Sequence, residues 1–250
     1  MTTLKHYSIL FLPRLAHHNE IAMKSILKII IISVASLLNG CTNIQSKYQS
    51  VGYFNEAAFT GLVTLPKTGT NIHLDYDLTK PSGENLHITS CKQVKAFTDT
   101  SIDIREYSLQ RLLTLNCMAA EEFLLGQDAT TSFFTEQSLV NIISNLPAMA
   151  VPDLGGDGLS AKREGRILID YEKLLNPTAS SPTEVKVELE NKMMASYTLM
   201  AKKDLNNDGI EDLVLLIGWR IIDTFGKGKT LIAVSKTSEN SPIEILWRRY

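Results

Sequence analysis

The sequence predicts an α+β fold: a mainly antiparallel sheet, two central helices, and strands at both ends of the segment 51–250. Three observations carry this prediction. Alternating apolar runs broken by turn residues fill the stretch from Phe59 to Phe97 and return after Arg166. A 3.6-residue apolar period occupies the middle. Strands and helices are segregated and do not alternate as βαβ units.

The first strands are expected at Gly61–Leu65, Asn71–Tyr76 and Leu86–Ala96, punctuated by Pro66-Lys67-Thr68-Gly69 and Lys80-Pro81-Ser82-Gly83. Leu109, Leu112, Leu113, Met118, Ala119, Phe123 and Leu124 then mark one face of a helix that Gly126 stops. Thr135 with Glu136 opens a second helix, which carries Leu139, Val140, Ile142, Ile143 and Leu146 and closes at Pro147. After Arg166, strands are expected at Glu184–Glu190, Ser196–Ala201, Leu213–Trp219, Thr230–Val234 and Ile243–Trp247. No linker-like stretch divides 51–250, so one domain is expected there.

The chain has 250 residues, 44% of them hydrophobic, with 25 Lys+Arg against 27 Asp+Glu. Low-complexity, collagen-like and disordered classes are excluded by that composition. Residues 1–40 hold four basic residues (Lys5, Arg14, Lys24, Lys28) and one acid (Glu20), which leaves 21 basic against 26 acidic, a net −5. No nucleic-acid partner is expected of such a chain.

From Met23 the chain reads MKSILKIIIISVASLLNGC. Lys24 and Lys28 form a basic n-region, and Ile29 to Leu38 form an apolar run too short to span ~30 Å of hydrocarbon as a helix. The segment ends Leu38-Asn39-Gly40-Cys41, which resembles the lipobox of bacterial lipoproteins. That resemblance implies a signal peptide over 23–40, cleavage before Cys41, diacylglycerol on its thiol and a further acyl chain, such as palmitate, on the new amino terminus. Several chains anchor stably where one is marginal. The alternative is a buried apolar helix with a chance cysteine. Residues 1–22 are then expected to be an over-extended start, and 41–50 a polar tether. Thr42 is not the Asp that holds such lipoproteins at the inner membrane, so the outer membrane is favoured, facing the periplasm.

With Cys41 lipidated, Cys91 and Cys117 remain in an oxidising compartment, where two thiols pair by default. A bridge from a strand to a helix is expected; the alternative is two separate buried thiols. There is no C-x-x-C.

Asp204-Leu-Asn206-Asn-Asp208-Gly209-Ile210-Glu-Asp212 is the constellation with the most specific chemistry. Calcium takes six to eight hard oxygens, supplied by side chains at positions 1, 3 and 5 and a carbonyl at 7, with Gly at 6 for the turn. Those positions are Asp204, Asn206, Asp208, the Ile210 carbonyl and Gly209, with Asp212 at position 9. Position 12 is Leu215, not the bidentate Glu of an EF-hand. The loop resembles instead the D-x-N-x-D-G-x-x-D loops of FG-GAP-type repeats, which lie between two strands. One good copy cannot build a propeller of such repeats. The alternative is an acidic turn, since Asn-Asp-Gly is turn chemistry on its own. A fainter copy, Asp153-Leu-Gly-Gly-Asp157-Gly158, lacks the third and ninth ligands and is expected to be a turn.

Other motifs fail. Gly226-Lys-Gly228-Lys229-Thr230 ends like a phosphate loop, but Asp223 stands where the first Gly belongs, and strand residues follow. It is expected to be a hairpin turn with two exposed lysines, and no nucleotide is expected. There is no G-x-S-x-G and no H-E-x-x-H. His73 and His87 are expected in strands near Asp75 and Asp77.

The chain is therefore expected to be a membrane-anchored envelope lipoprotein, a binding or structural module whose hairpin is stapled by calcium, with an envelope protein or polymer as partner. The competing expectation is a lipid-tethered hydrolase whose active site has no sequence signature. In cells, Cys41→Ser should abolish lipid labelling and move the protein to the soluble fraction. Unchanged membrane association, or a mature chain starting at Met1 by mass spectrometry, would refute the lipobox reading.

Overall fold

The computed structural model describes residues 52–59, 63–66, 69–98, 100–134, 137–152, 159–172, 176–189 and 192–250. All belong to one compact unit, Lys47–Tyr250. Cys41, the signal and tether, and the Asp153–Gly158 motif lie outside the described residues.

The expected α+β architecture is present. β1 (Tyr53–Phe54), β4 (Thr178–Ser181), β5 (Glu184–Leu189), β6 (Met193–Lys203), β7 (Asp212–Ile221), β8 (Lys227–Ser235) and β9 (Glu244–Arg249) form an antiparallel sheet in the order β4-β5-β6-β7-β8-β9. β1 pairs with β6 at Tyr53↔Lys202 and Phe54↔Ala201. β2 (His73–Thr79) and β3 (Asn85–Ser90) make a separate hairpin. The helices are α1 (Cys91–Lys95), α2 (Tyr107–Leu125), α3 (Leu139–Ser144), α4 (Leu159–Arg163) and α5 (Leu168–Tyr171).

β7 explains the layering. Its sequence Leu213-Val-Leu-Leu-Ile217 is apolar without interruption and buried throughout, as a strand covered on both faces must be. Leu213, Leu215 and Ile217 point into one core, shared with Val185, Val187, Tyr197, Ile232 and the helical segment around Ile143, Leu146 and Leu168. Val214 and Leu216 point into a second core with Leu113 and Cys117 of α2, Ile88 of the small hairpin and Phe59, which ends a 3-10 turn after β1. β6 changes phase at an irregularity between Leu199 and Ala201. Asn55, 4% exposed, anchors that point by donating from its backbone N–H to the Met200 carbonyl (2.9 Å) and from Nδ2 to the Leu199 carbonyl (2.6 Å).

The two expected central helices are α2 and α3. Of the expected first strand, 61–62 lie outside the described residues, and what remains is a single bridge, Thr64↔His73. The strand expected over Leu86–Ala96 ends at Ser90 and becomes a helix. Ser90 Oγ accepts the Gln93 N–H while the Gln93 side chain accepts the Ser90 N–H, a capping box that overrides the alternation. Thr135 and Glu136 lie outside the described residues, and α3 opens at Ser138, whose hydroxyl accepts the Asn141 N–H (3.2 Å). Just beyond Arg166, before the first strand expected there, lies one-turn α5, in which Leu168 buries fully and its N–H is taken by the Leu146 carbonyl (2.7 Å).

Cys91 and Cys117 form a disulfide with Cα atoms 5.4 Å apart. Because Cys91 is the first residue of α1, the bridge joins two helices and not a strand to a helix. It closes a separation of 26 residues, for which chain entropy predicts about 3 kcal/mol. The double variant Cys91→Ala/Cys117→Ala should therefore melt about 6–12 °C lower than wild type in a thermal scan. An unchanged midpoint would mean that the bridge contributes nothing to stability.

Candidate functional site

The acidic loop joins β6 to β7, as expected of a loop between two strands. Gly209 sits at φ +84°, a conformation that costs a side chain energy and suits position 6. The loop is wound round its own carboxylates. Asp204 Oδ1 accepts the Asp208 N–H (3.2 Å) and Oδ2 accepts the Gly209 N–H (2.8 Å). Asn206 Oδ1 accepts the Asp208 N–H (3.1 Å), and Asp208 Oδ1 accepts the Ile210 N–H (2.8 Å). Asp212 Oδ2 closes the loop by accepting the Leu205 N–H (2.9 Å).

A strap from the end of α2 holds the loop from outside. Gln127 and Asp204 exchange backbone hydrogen bonds (2.8 and 3.0 Å), and the Thr130 and Thr131 N–H groups donate to the Gly209 carbonyl (2.9 and 3.1 Å). Ser132 Oγ donates to Glu211 Oε1 (2.8 Å), and Lys203 pairs with Asp128. Nothing in the sequence announced this strap, since its partners lie about 79 residues apart.

The strap and the strands bury the acids: Asp204 is 3%, Glu211 2% and Asp212 0% exposed. Asp212 Oδ1 and the neighbouring Ser235 hydroxyl are both buried and make no hydrogen bond of good geometry. Burial pushes the Asp212 carboxyl up to about 6, against the pull of the Ser235 hydroxyl and the Leu205 N–H, and the charges of Asp208 and Asp204 add to the rise. The Ile210 carbonyl takes no hydrogen bond among the described residues. Thus all five sequence-selected positions lie in one tight turn, with two of their oxygens uncommitted. No group of three or more His, Cys, Asp or Glu side chains meets metal-cluster geometry among the described residues; Asn206 and the Ile210 carbonyl are outside those residue types.

The histidines serve the small hairpin. His87 Nδ1 lies 2.9 Å from Asp77 Oδ1 and Nε2 3.8 Å from Asp75, all exposed, while His73 pairs across strands with Ser90. Lys227 and Lys229 are not in a turn. The turn is Ile222–Gly226, and both lysines stand in β8, because Gly228 and Lys229 pair with Trp219 and Gly218 of β7.

That pairing reveals a groove the sequence did not disclose. It encloses about 570 Å³ between the first turn of α2 and the β5–β8 surface, far from the acidic loop along β7. Lys186, Ser196, Gly218 and Lys229 are successive cross-strand partners and so form one row on the same face. The next row is Glu188, Met194, Arg220 and Lys227. Tyr107, Ser108 and Arg111 of α2 form the facing wall. Alternation orders side chains only within each strand; strand register is what brings Lys186, Arg220 and Lys229 to one face.

No protein-family model, curated protein or solved structure matches the chain. Function rests on the geometry of these two places.

Since the folded Asp212 carboxyl is raised above 3.8 to about 6, its contribution to stability is fully present below the lower value and lost as pH rises through the upper one. With EGTA present, wild type should lose stability relative to Asp212→Asn between about pH 4 and pH 6.5. Urea midpoints across that range measure the difference, and parallel profiles for the two proteins would refute the shift.

Proposed function

We propose that the protein is a lipid-anchored module of the bacterial envelope that binds an envelope component and whose β6–β7 loop is stapled by calcium. The signal-like segment and Cys41 support the anchor, and Thr42 supports the outer membrane. The observation that carries binding is the groove: its lining is cations, hydroxyls, glycines, Met194, Ala195, Tyr107 and Trp219, with no carboxylate or imidazole among the lining residues. That is the composition of a surface that holds a ligand; a hydrolase would need a general base within reach of the bond it cleaves.

The calcium staple is supported by the partnerless, buried Asp212 Oδ1 together with the uncommitted Ile210 carbonyl. A buried carboxylate oxygen without a partner is costly unless a proton or a cation relieves it. Asp204, Asn206, Asp208, Asp212 and the Ile210 carbonyl would hold the ion, which relieves their mutual repulsion and fixes the hairpin. Bound calcium plays a structural part in this reading and takes no part in chemistry.

The melting midpoint of wild type should therefore rise with calcium, by the equivalent of about 2.7 kcal/mol at a hundredfold excess over Kd, and fall on chelation. Asp204→Ala or Asp208→Ala should abolish the rise. Calorimetry with calcium and with EGTA decides this: a wild-type midpoint indifferent to millimolar calcium leaves the loop a turn and removes the staple.

A further inference from the structure

We propose that the groove between α2 and the β5–β8 surface binds an acidic saccharide, a sugar chain carrying phosphate or carboxylate groups. This deepens the binding-module reading and rests on it only for the claim that the groove is a binding surface; neither the anchor nor calcium enters.

The argument begins with charge. Arg111, Lys186, Arg220, Lys227 and Lys229 line one concavity in a chain with more acids than bases. Lys186 lies 3.7 Å from Glu184. The side chains of Arg111, Arg220, Lys227 and Lys229 take part in no ion pair or hydrogen bond among the described residues. Four cations that make no ion pair round one cavity raise the local concentration of anions; the acids nearest them are Glu184, beside Lys186, and Glu188, at the end of the Arg220 row. The first turn of the 19-residue α2 lines the same cavity, and a helix N-terminus adds partial positive charge there.

The spacing selects more than a single small anion. In the first row Lys186 and Lys229 are three strands apart, about 14 Å between Cα atoms at ~4.8 Å per strand. Ser196 and Gly218 fill the interval. Gly218 keeps that floor low, because a Cβ there would lie 3.0 Å from Ser196 Oγ. A lone phosphate would leave most of the trough unfilled. A chain of sugar rings fits it: acidic groups meet the cations at the rims, and ring hydroxyls meet the Ser196 and Ser108 hydroxyls. Tyr107, 45% exposed, offers its ring to the apolar face of a sugar. A cavity of about 570 Å³ lies within the range of small-ligand pockets.

Other polyanions fit less well. Single-stranded nucleic acid wants several aromatic platforms for its bases, and the lining holds two aromatic residues, Tyr107 and Trp219. The Trp219 ring is committed to packing over Gly228 and against the first core. A membrane surface would be met by a convex or flat basic patch, whereas these cations line a hollow.

The full chain, purified in detergent, tests this by calorimetry at low salt with three probes: tetragalacturonate, 6-phosphomaltotetraose and neutral maltotetraose. At least one acidic probe should bind tenfold or more tighter than maltotetraose, and less tightly as salt rises. Arg220→Gln/Lys229→Gln should weaken that probe about a hundredfold, about tenfold for each charge-assisted contact. Lys192→Gln, outside the groove, should leave binding intact, and all variants should melt like wild type. Equal binding of acidic and neutral probes, no binding of either acid, or an unaffected Arg220/Lys229 variant overturns the proposal. So does capture by phosphatidylglycerol vesicles that neither acidic probe can displace. If the saccharides fail while the protein stays in the membrane fraction, this inference alone falls. If they bind while the protein is soluble, the anchored reading falls instead.

Discussion

Burial of both faces of β7 is the constraint from which the rest of the fold follows. Leu213 to Ile217 lie in register between β6 and β8, their side chains alternating into two cores. Burying five such side chains contributes on the order of 8–15 kcal/mol before entropy is counted, comparable to the net stability of a whole domain. A strand of this kind is unstable as an edge and needs a layer on each side. One layer is α2 with the small hairpin, locked to it by Cys91–Cys117. The other is the helical segment that carries Ile143, Leu146 and Leu168.

The same strand ties the two candidate places together. β7 begins at Asp212, the last acid of the loop, and reaches Gly218 and Arg220 on the groove floor. Strand side chains alternate with a period of two, so a one-residue slip would exchange its faces. Arg220 would then turn toward the first core and Leu213 toward the second. A loop that pins Asp204 against the strap and Asp212 against Leu205 therefore also fixes which side chains face the groove. This dependence runs through register and needs no movement between the two ends.

What was legible in the sequence had a local signature. The apolar run Leu213–Trp219 announced the strand β7, though not that both of its faces are covered. The Asp-Asn-Asp-Gly spacing announced a tight loop between two strands, and that loop is present with Gly209 in the left-handed region. Two cysteines in the segment 51–250 announced their pair, Cys91–Cys117. Features built by distant residues were not legible. The strap of Gln127–Ser132 matters only because the fold lays it against Gly209 and Glu211. The groove depends on Lys186 and Lys229 occupying one cross-strand row, which register alone determines. At Ser90, apolar alternation hid a local cue: the capping box Ser90-x-x-Gln93 is present in the sequence, but the strand pattern runs through it.

An acidic chain with an anion-binding groove is consistent because the charges are segregated. Asp204, Asp208, Glu211 and Asp212 gather at the first end of β7, while Arg220, Lys227, Lys229 and Lys186 gather toward the other. From Asp212 to Arg220 is eight residues of strand, about 26 Å at roughly 3.3 Å each. That exceeds the Debye length of ~8 Å at physiological ionic strength. Across such a distance the acids barely weaken the attraction an anion feels inside the groove. The net charge of −5 over residues 41–250 thus governs how the protein meets a broad anionic surface, and the local charge governs what enters the hollow. A neutral or basic chain with the same groove would adhere to anionic lipid and nucleic acid indiscriminately. The acidic remainder opposes that adhesion, and only an anion small enough to pass between α2 and the sheet meets the cations at close range.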